Sequence, residues 1–430
     1  MTELEQLDFF RDQSLVADPY PYMEAMRAGC PVRREPHQNV MVVTGYDEAI
    51  AVFGDPENFS SCTAVTGPFP GFPVPIEGQG DDVSEIIETY REQLPFSDQV
   101  TVMDPPKHTA HRALLMGLIT PKRLKENEEF MWRHADTAME PYLTAGGGDF
   151  IKGFAVPFTL AIISDLLGVP EQDRAEFARK LDHSQSGGGV GSTAEGAMSH
   201  SPLEYLYQKF SGYIEDRRRN PQADALTEMA VAKFPDGSTP EVIDVVRIAA
   251  NLYSAGQETT VRLLSTALKM IAEDQQLQQL LRAEKDRIPN FIEEALRYES
   301  PVKGDFRLAR RTTTVGGVQV PAGATVMVMN GAANRDPRQF EDPAVFDIDR
   351  ANARRHIAFG RGPHSCPGAP LARAEARVVL ERILDRTKEI RLSEEHHGPA
   401  GQRHFNYVPT FILRGLADLH LECTVKQAGD

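Results

Sequence analysis

One long amphipathic segment constrains the possible folds of this chain more than any other feature. From residue 242 to about residue 272, apolar side chains recur at three- and four-residue spacing, which is the period of an α-helix. Ser238 and Thr239, followed by Pro240 and Glu241, supply a helix start signal. At about 1.5 Å per residue, the segment predicts a helix roughly 50 Å long. Such a helix crosses a whole domain, so the remaining elements must pack around it.

Most of the remaining chain also has a helical pattern, as in PKRLKENEEFMWRHADTAMEPYL. Short strand-like runs bounded by turn residues occur at residues 40–47, 312–329 and 407–424. No repeat period is visible. These patterns predict a mostly α fold with small β-sheets.

Composition and charge narrow the class of protein. Of the 430 residues, 41% are hydrophobic and 25% are charged, as in an ordinary folded protein. The net charge of −16 disfavours nucleic acid and anionic membranes as partners. The N-terminus has no apolar signal stretch, and no later run approaches the roughly 18 apolar residues of a membrane span. We therefore expect a soluble, cytoplasmic protein without a membrane anchor and without a nucleic-acid partner.

The cysteines indicate neither a disulfide framework nor a zinc cluster, because all four are widely spread and form no CxxC pair. One of them, Cys366, lies in the glycine-rich loop FGRGPHSCPG, directly before a strong helix pattern. A helix N-terminus is expected to favour a thiolate over a thiol. From the residues alone, Cys366 is a buried structural cysteine, a nucleophile or a metal ligand. A nucleophile is disfavoured because His364, in the same tight loop, is poorly placed to act as its base.

The spacing within this loop resembles the haem-ligand loop of the cytochrome P450 family. The pattern F-G-x-G-x-H-x-C-x-G is matched by Phe359, Gly360, Gly362, His364, Cys366 and Gly368. The resemblance implies that Cys366 is the axial ligand of the iron of haem b. It also implies a single domain spanning residues 1–430, a triangular helical prism with haem between the long central helix and the helix after the cysteine loop.

A second matching motif, AGQETT, lies in the middle of the long helix. The Thr259 hydroxyl can bond the carbonyl of Ala255, and Gly256 leaves room for a small ligand. Polar residues on one face of an amphipathic helix are the simpler interpretation of Glu258 and Thr259. The motif nevertheless resembles the family's oxygen-binding segment. That resemblance implies that Ala255 and Gly256 contact haem and that Glu258 and Thr259 manage proton delivery to dioxygen.

Haem carries two propionates, which need basic or hydrogen-bonding partners. Resemblance to the family places four residues in that role: His108, Arg112, Arg307 and His364.

Glu294 and Arg297 stand three residues apart in EEALRYESPV and can pair on a helix. Such pairs are common, but the segment ANRDPRQFEDPAVFDIDR follows in the family's order. The resemblance implies that Glu294, Arg297 and Arg350 form a buried charge network that holds the cysteine loop.

Two irregular stretches, at residues 63–82 and 184–202, are rich in Gly, Pro or Ser, which is typical of linkers. The resemblance instead favours two substrate-facing elements, a loop and a mobile lid, within one domain. By family position, Val302, Phe306, Phe411 and Ile412 are expected to shape an apolar pocket for a terpenoid, steroid or similar molecule. Lys303 is an alternative contact for an anionic group.

The implied activity is that of a haem-thiolate monooxygenase, which inserts one oxygen atom from O2 into a C–H bond. Electrons from NAD(P)H are expected to arrive through a separate ferredoxin and ferredoxin reductase. A peroxide-driven peroxygenase and a non-catalytic haem-binding or sensing protein are the alternatives. The basic residues near the cysteine loop predict a docking face for an acidic ferredoxin: Arg354, Arg355, Arg361, Arg373 and Arg377.

Overall fold

Helices are the most abundant regular elements in the described part of the chain, as predicted. The computed structural model describes residues 3–182 and 201–427. Its α-helices are α1 (Ser14–Ala17), α2 (Tyr20–Gly29), α3 (Tyr46–Gly54), α4 (Ser84–Tyr90), α5 (Lys107–Leu118), α6 (Pro121–Thr144), α7 (Val156–Leu166), α8 (Glu171–Asp182), α9 (Ser201–Arg219), α10 (Ala225–Ala230), α11 (Val242–Glu273), α12 (Gln275–Ala283), α13 (Ile288–Tyr298), α14 (Asn330–Ala333), α15 (Ala369–Arg386) and α16 (Glu394–His397). The segment predicted to be a lid, at residues 184–202, lies almost wholly outside the described residues.

The long central helix is α11, with 32 residues. It begins at Val242, where the apolar period begins, but the residue before its first turn is Glu241, whose backbone N–H donates to the Asp244 carboxylate, 3.3 Å away. Ser238 instead bonds Asp236 in the preceding turn, so the expected start signal belongs to that turn. Helices α7, α9 and α15 all pack against α11, which therefore forms the centre of the molecule.

Three small sheets border the helices. Their strands are β1 (Val32–Arg34), β2 (Met41–Val43), β3 (Phe59–Ser60), β4 (Gly147–Asp149), β5 (Asp305–Ala309), β6 (Thr313–Val315), β7 (Val318–Val320), β8 (Thr325–Val328), β9 (Thr387–Leu392) and β10 (His420–Val425). The largest sheet has the order β1-β2-β8-β5-β3, in which only β2 and β8 pair in parallel. The other two are β4-β10-β9 and the hairpin β6-β7.

The strand prediction for residues 407–424 was partly wrong. Only β10 is a strand there, and the earlier part makes isolated bridges, Val302 with Leu413 and Tyr407 with Leu416. This part of the chain lacks a continuous neighbour strand, so its apolar alternation does not become a ladder.

Helix α15 follows the cysteine loop as predicted, and a proline occupies its first turn. Ala376, Val379 and Ile383 are buried along one stripe, while Ala372 faces the cavity described below. None of the helices described here is long and apolar enough to span a membrane.

Candidate haem-thiolate site

A cavity of about 260 Å³ lies between the middle of α11 and the loop that precedes α15. One wall consists of backbone and short side chains of α11, and the other consists of the cysteine loop. The predicted residues that line it are His108, Arg112, Ala255, Gly256, Thr259, Val302, Arg307, Phe359, Gly360, His364, Cys366 and Gly368. Tertiary structure thus brings together residues from five separate segments of the chain.

The cysteine loop is held in a tight conformation. Gly360 and Gly362 both have positive φ, 65° and 69°. A Cβ at Gly362 would lie 2.2 Å from the carbonyl oxygen of Phe53, so no larger residue fits there. The backbone N–H of Cys366 donates to the carbonyl of Phe359 across 2.8 Å and closes the loop. This closure fixes the direction of the Cys366 side chain.

The Cys366 side chain is exposed to the cavity rather than packed in the core. Burial of the thiol within the protein raises its pKa, and this effect outweighs the backbone N–H groups of Gly368 and Ala369 and the nearby Arg112, which lower it. The backbone N–H groups at the helix end lower the pKa of the thiol as expected, but they do not outweigh its burial. A bound metal ion would supply the missing charge, because a coordinating thiol is deprotonated.

Two histidines of the lining have hydrogen-bonding groups without partners. His108 and His364 lie with their rings 3.9 Å apart. Both ring nitrogens of His108 and the Nε2 of His364 are buried and have no hydrogen-bond partner in the described part of the chain. Burial lowers the pKa of His108 to about 4 and that of His364 to about 3, so both rings are neutral near pH 7. Buried polar atoms without partners are rare and indicate a missing ligand.

Two arginines complete this cluster. Arg112 donates to the carbonyl of Ser365, next to the cysteine, and Arg307 is buried with a hydrogen bond of 2.6 Å to the carbonyl of Phe306. Their remaining N–H groups, with the two histidines, match the acceptor oxygens of two carboxylates. The residues present therefore fit haem: a cavity-facing thiol for the iron and basic groups for the propionates.

On α11, the Thr259 hydroxyl donates to the carbonyl of Ala255, 2.9 Å away, as the sequence predicted. Gly256 also lines the cavity, and a Cβ added to it would make an ordinary van der Waals contact with Ile163 at 3.4 Å. Glu258, in contrast, is not part of the cavity lining. It pairs with buried Arg262 one turn later, because adjacent helix positions point in directions about 100° apart.

Glu294, Arg297 and Arg350 form one buried network. Arg297 makes two hydrogen bonds of 2.7 Å to Glu294, and Arg350 adds one of 3.1 Å. Arg297 also donates to the carbonyl of Asn334, whose side chain accepts from the N–H of Ile357, just before the cysteine loop. The network is therefore connected to the loop by backbone hydrogen bonds.

Three of the four predicted pocket residues do not reach the cavity. Phe306, Phe411 and Ile412 pack into an apolar cluster with Phe10 and other side chains behind the wall. Phe306 is turned away from the cavity because side chains alternate along a strand. Its neighbours on β5 face the cavity, so its own side chain points to the opposite face of the sheet. Only Val302 lines the cavity, so the predicted set was largely wrong.

Lys303 also lies away from the cavity. Its side chain is buried, and its ammonium donates to the carbonyl of Thr410. Burial, together with the charges of Arg414 and Arg262, lowers its pKa to about 7. No anionic group of a substrate in the cavity can meet this residue.

Several lining residues escaped the sequence analysis. Asn251 stands one turn before Ala255 and two turns before Thr259, so helical spacing alone could have found it. Leu252 is its neighbour on α11, whereas Thr101 and Asp305 come from a short 3-10 helix and from β5, where packing decides which side chains face the cavity. The missed residues of the substrate side are Thr101, Asn251, Leu252 and Asp305, while Ala64 and Val65 belong to the 63–82 loop that was expected to face the substrate.

Comparisons with known proteins agree with this geometry. A family model described as Cytochrome P450 matches residues 200–389. Cytochrome P450 144 of Mycobacterium tuberculosis is 32% identical, over 98% of this chain and 92% of that protein. The Cytochrome P450 monooxygenase PikC of Streptomyces venezuelae is 31% identical, over 95% of this chain and 91% of that protein. The solved structure of substrate-free CYP150A6 from Mycobacterium marinum has 52% identity and a TM-score of 0.92, over 99% of this chain and 100% of that chain.

Fold and comparisons together define an oxidoreductase of a haem-binding class. The chain belongs to the cytochrome P450 family, of which the relative PikC is named a monooxygenase. The predicted family and the predicted mostly α fold with small sheets are thus confirmed.

Proposed function

We propose that this chain, as one domain spanning residues 1–430, inserts one oxygen atom from O2 into a C–H bond of an apolar small molecule. One observation carries the proposal: the Cys366 thiol and the Thr259 hydroxyl line the same cavity. A bound haem b supplies the redox chemistry of oxygen activation. The chain's own residues bind the haem, exclude water and deliver protons.

Cys366 would be the axial ligand of the haem iron, and His108, Arg112, Arg307 and His364 would bind the propionates. The unpartnered nitrogens of the two histidines support this assignment. The flat surfaces of the haem would contact residues with little side-chain bulk or with an aromatic ring: Ala255, Gly256, Phe359, Gly360 and Gly368. The buried network of Glu294, Arg297 and Arg350 would keep the loop in place.

Thr259 would hold a water that carries the proton by accepting a hydrogen bond from it, since its own hydroxyl hydrogen is donated to the Ala255 carbonyl and its side chain lies in the lining. Glu258 would connect the site with solvent, because its side chain is 42% exposed. In the structure Glu258 is paired with Arg262, so this role requires the pair to open. Proton delivery would then depend on both residues of the pair.

The substrate would be an apolar molecule such as a terpenoid or a steroid. Apolar side chains from four regions surround the space between α11 and the opposite wall: Ala64, Val65, Val100, Leu252 and Val302. Burying apolar substrate surface against them is favourable by roughly 25 cal/mol per Å².

Electrons would come from NAD(P)H through a ferredoxin reductase and an acidic ferredoxin. The predicted docking face is smaller than the sequence indicated, because Arg373 pairs with Glu293 and Arg377 pairs with Glu128. The remaining three arginines are exposed and have no carboxylate partner among the described residues: Arg354, Arg355 and Arg361. They would provide the charge for a small, electrostatically steered contact.

The decisive experiment is the spectrum of the reduced protein with carbon monoxide. The wild-type protein is expected to show the red-shifted band of a thiolate-ligated haem, and Cys366→Ser is expected to lose it. Cys30→Ser is the matched control, since Cys30 does not line the cavity, and should keep the band. If Cys366→Ser retains the band, the proposed ligand is wrong.

A further inference from the structure

Asn251 is a polar side chain in the lining of the cavity, on α11 next to Leu252. The other lining residues named for the substrate side are apolar, except Thr101 and Asp305. The residue is only half-buried, because its side chain borders the open space of the cavity. A primary amide offers two N–H donors and one carbonyl acceptor.

In the described part of the chain, the Asn251 amide has no hydrogen-bond partner. Thr259, on the same face of α11, differs because its hydroxyl is bonded to the Ala255 carbonyl. An apolar substrate that covered Asn251 would remove the amide from water without replacing its hydrogen bonds, at a cost of about 1–3 kcal/mol. A substrate with a matching polar group avoids that cost.

We infer that the substrate is a neutral molecule with an apolar skeleton and one oxygen function, a ketone or a hydroxyl, that binds the Asn251 amide. This inference rests on the proposed function and adds the chemical class of the substrate. It also makes Asn251 a residue that determines specificity.

The charges of the lining favour a neutral oxygen function over a carboxylate. Lys303 bonds the Thr410 carbonyl and lies outside the cavity. Asp305 is a carboxylate in the lining and would repel an anion. The basic side chains of the lining either are assigned to the haem propionates or belong to the cysteine loop: His108, Arg112, Arg307, His364 and Arg361.

The position of Asn251 also predicts where the substrate is oxidised. Asn251 stands one turn before Ala255 and two turns before Thr259, or about 6 Å and 12 Å along the helix axis. A molecule whose oxygen binds Asn251 therefore extends from there along α11 toward Thr259, so the carbons that are oxidised should be those remote from that oxygen.

The test uses the holoenzyme and two matched pairs of probes: 5α-androstan-17-one with 5α-androstane, and camphor with bornane. Binding is measured by the change in haem absorption on titration. The wild-type protein is expected to bind the ketone of at least one pair about tenfold more tightly than its hydrocarbon. Asn251→Leu, which keeps a similar volume, should bind both members of that pair equally and should oxidise the ketone at a broader set of carbons.

Thr101→Val is the matched control, because Thr101 is the other uncharged polar residue missed on the substrate side. It should keep the preference for the ketone. Equal binding of ketone and hydrocarbon by the wild-type protein, binding of neither, or a preference that persists in Asn251→Leu would overturn the inference. The proposed function would survive each of these results if the carbon monoxide spectrum depends on Cys366 and any apolar probe is oxidised.

Discussion

The Thr259 hydroxyl and the Ala255 carbonyl are joined by a hydrogen bond of 2.9 Å within the wall of the cavity. This bond leaves the oxygen of Thr259 able to accept one further hydrogen bond from a group in the cavity. Thr259→Ala should therefore bind substrate nearly normally but release hydrogen peroxide in place of much of the product. The measurement compares product, peroxide and reduced nicotinamide consumed in the reconstituted system. Thr259→Ser keeps the hydroxyl and should remain coupled; equal coupling in Thr259→Ala would assign the hydroxyl a purely structural role.

Variants of the Glu258–Arg262 pair can separate the contribution of Glu258 to stability from its proposed role in proton delivery. Arg262 is 4% exposed, and its Nε and Nη1 have no partner in the described part of the chain. Glu258→Gln should lower the free energy of unfolding by about 1–3 kcal/mol, since it removes the charge that faces a buried guanidinium. The double variant Glu258→Gln, Arg262→Met should recover stability, because replacing both partners removes the unpaired charge.

Turnover of the same two variants then tests the proton relay. If Glu258 delivers protons, product formation should be slow in both variants, with an increased solvent isotope effect. Recovery of turnover together with stability in the double variant would show that Glu258 acts only by pairing with Arg262.

The pair of Glu294 and Arg297 should be among the most important for stability. Both side chains have 0% exposure. Glu294→Gln is expected to lower the free energy of unfolding by about 3–5 kcal/mol, because it leaves two buried guanidinium groups without their charge partner. Urea unfolding measures the change. Lys122→Met is the control: its pair with Glu126 is 80% and 61% exposed, and its loss should change stability by no more than about 0.5 kcal/mol.

Lys303 predicts an unusual dependence of stability on pH. Burial lowers its pKa to about 7, below its ordinary value of 10.5. Between these pH values the Lys303 side chain carries a proton in the unfolded chain but not in the folded chain. The free energy of unfolding therefore rises with pH, and this contribution is lost as the pH falls toward 7. The contribution of this one group between pH 7 and pH 9 is on the order of 2 kcal/mol. Urea unfolding at both pH values should show the rise in wild type and a smaller rise in Lys303→Met; equal rises would contradict the assignment.

Reduction by the ferredoxin should depend on Arg354, Arg355 and Arg361. Changing all three to Gln is expected to slow reduction severalfold and to flatten its dependence on salt, because charge steering acts mainly on the association rate. Stopped-flow reduction at several ionic strengths measures both effects. The control variant changes three other basic residues to Gln, so that the net charge changes by the same amount. These residues are exposed and lie outside the cysteine loop: Lys122, Lys152 and Arg311. If the two triple variants are reduced alike, the proposed face is wrong.

Helix α11 shows how much of the fold could be predicted from the local sequence pattern. Its apolar period predicted a helix to about residue 272, and it ends at Glu273. Ser238 was wrongly expected to mark the start of this helix, because its hydroxyl instead donates to Asp236 in the preceding turn. Over residues 407–424 the apolar alternation predicted a strand correctly only for β10, because a strand also needs a neighbouring strand to pair with.

The sequence alone determined the family, the cysteine loop and the Thr259 hydrogen bond, because each depends on spacing within a short segment, whereas the buried charge network followed from the family resemblance. Only the tertiary structure decided which side chains face the cavity. Phe306 and Glu258 lie next to lining residues in sequence, yet one points into a core and the other pairs with Arg262. Asn251 and Val65 enter the lining from different elements. Local periodicity sets which side chains share a face of a helix or strand, but which face meets the cavity depends on the packing of distant segments.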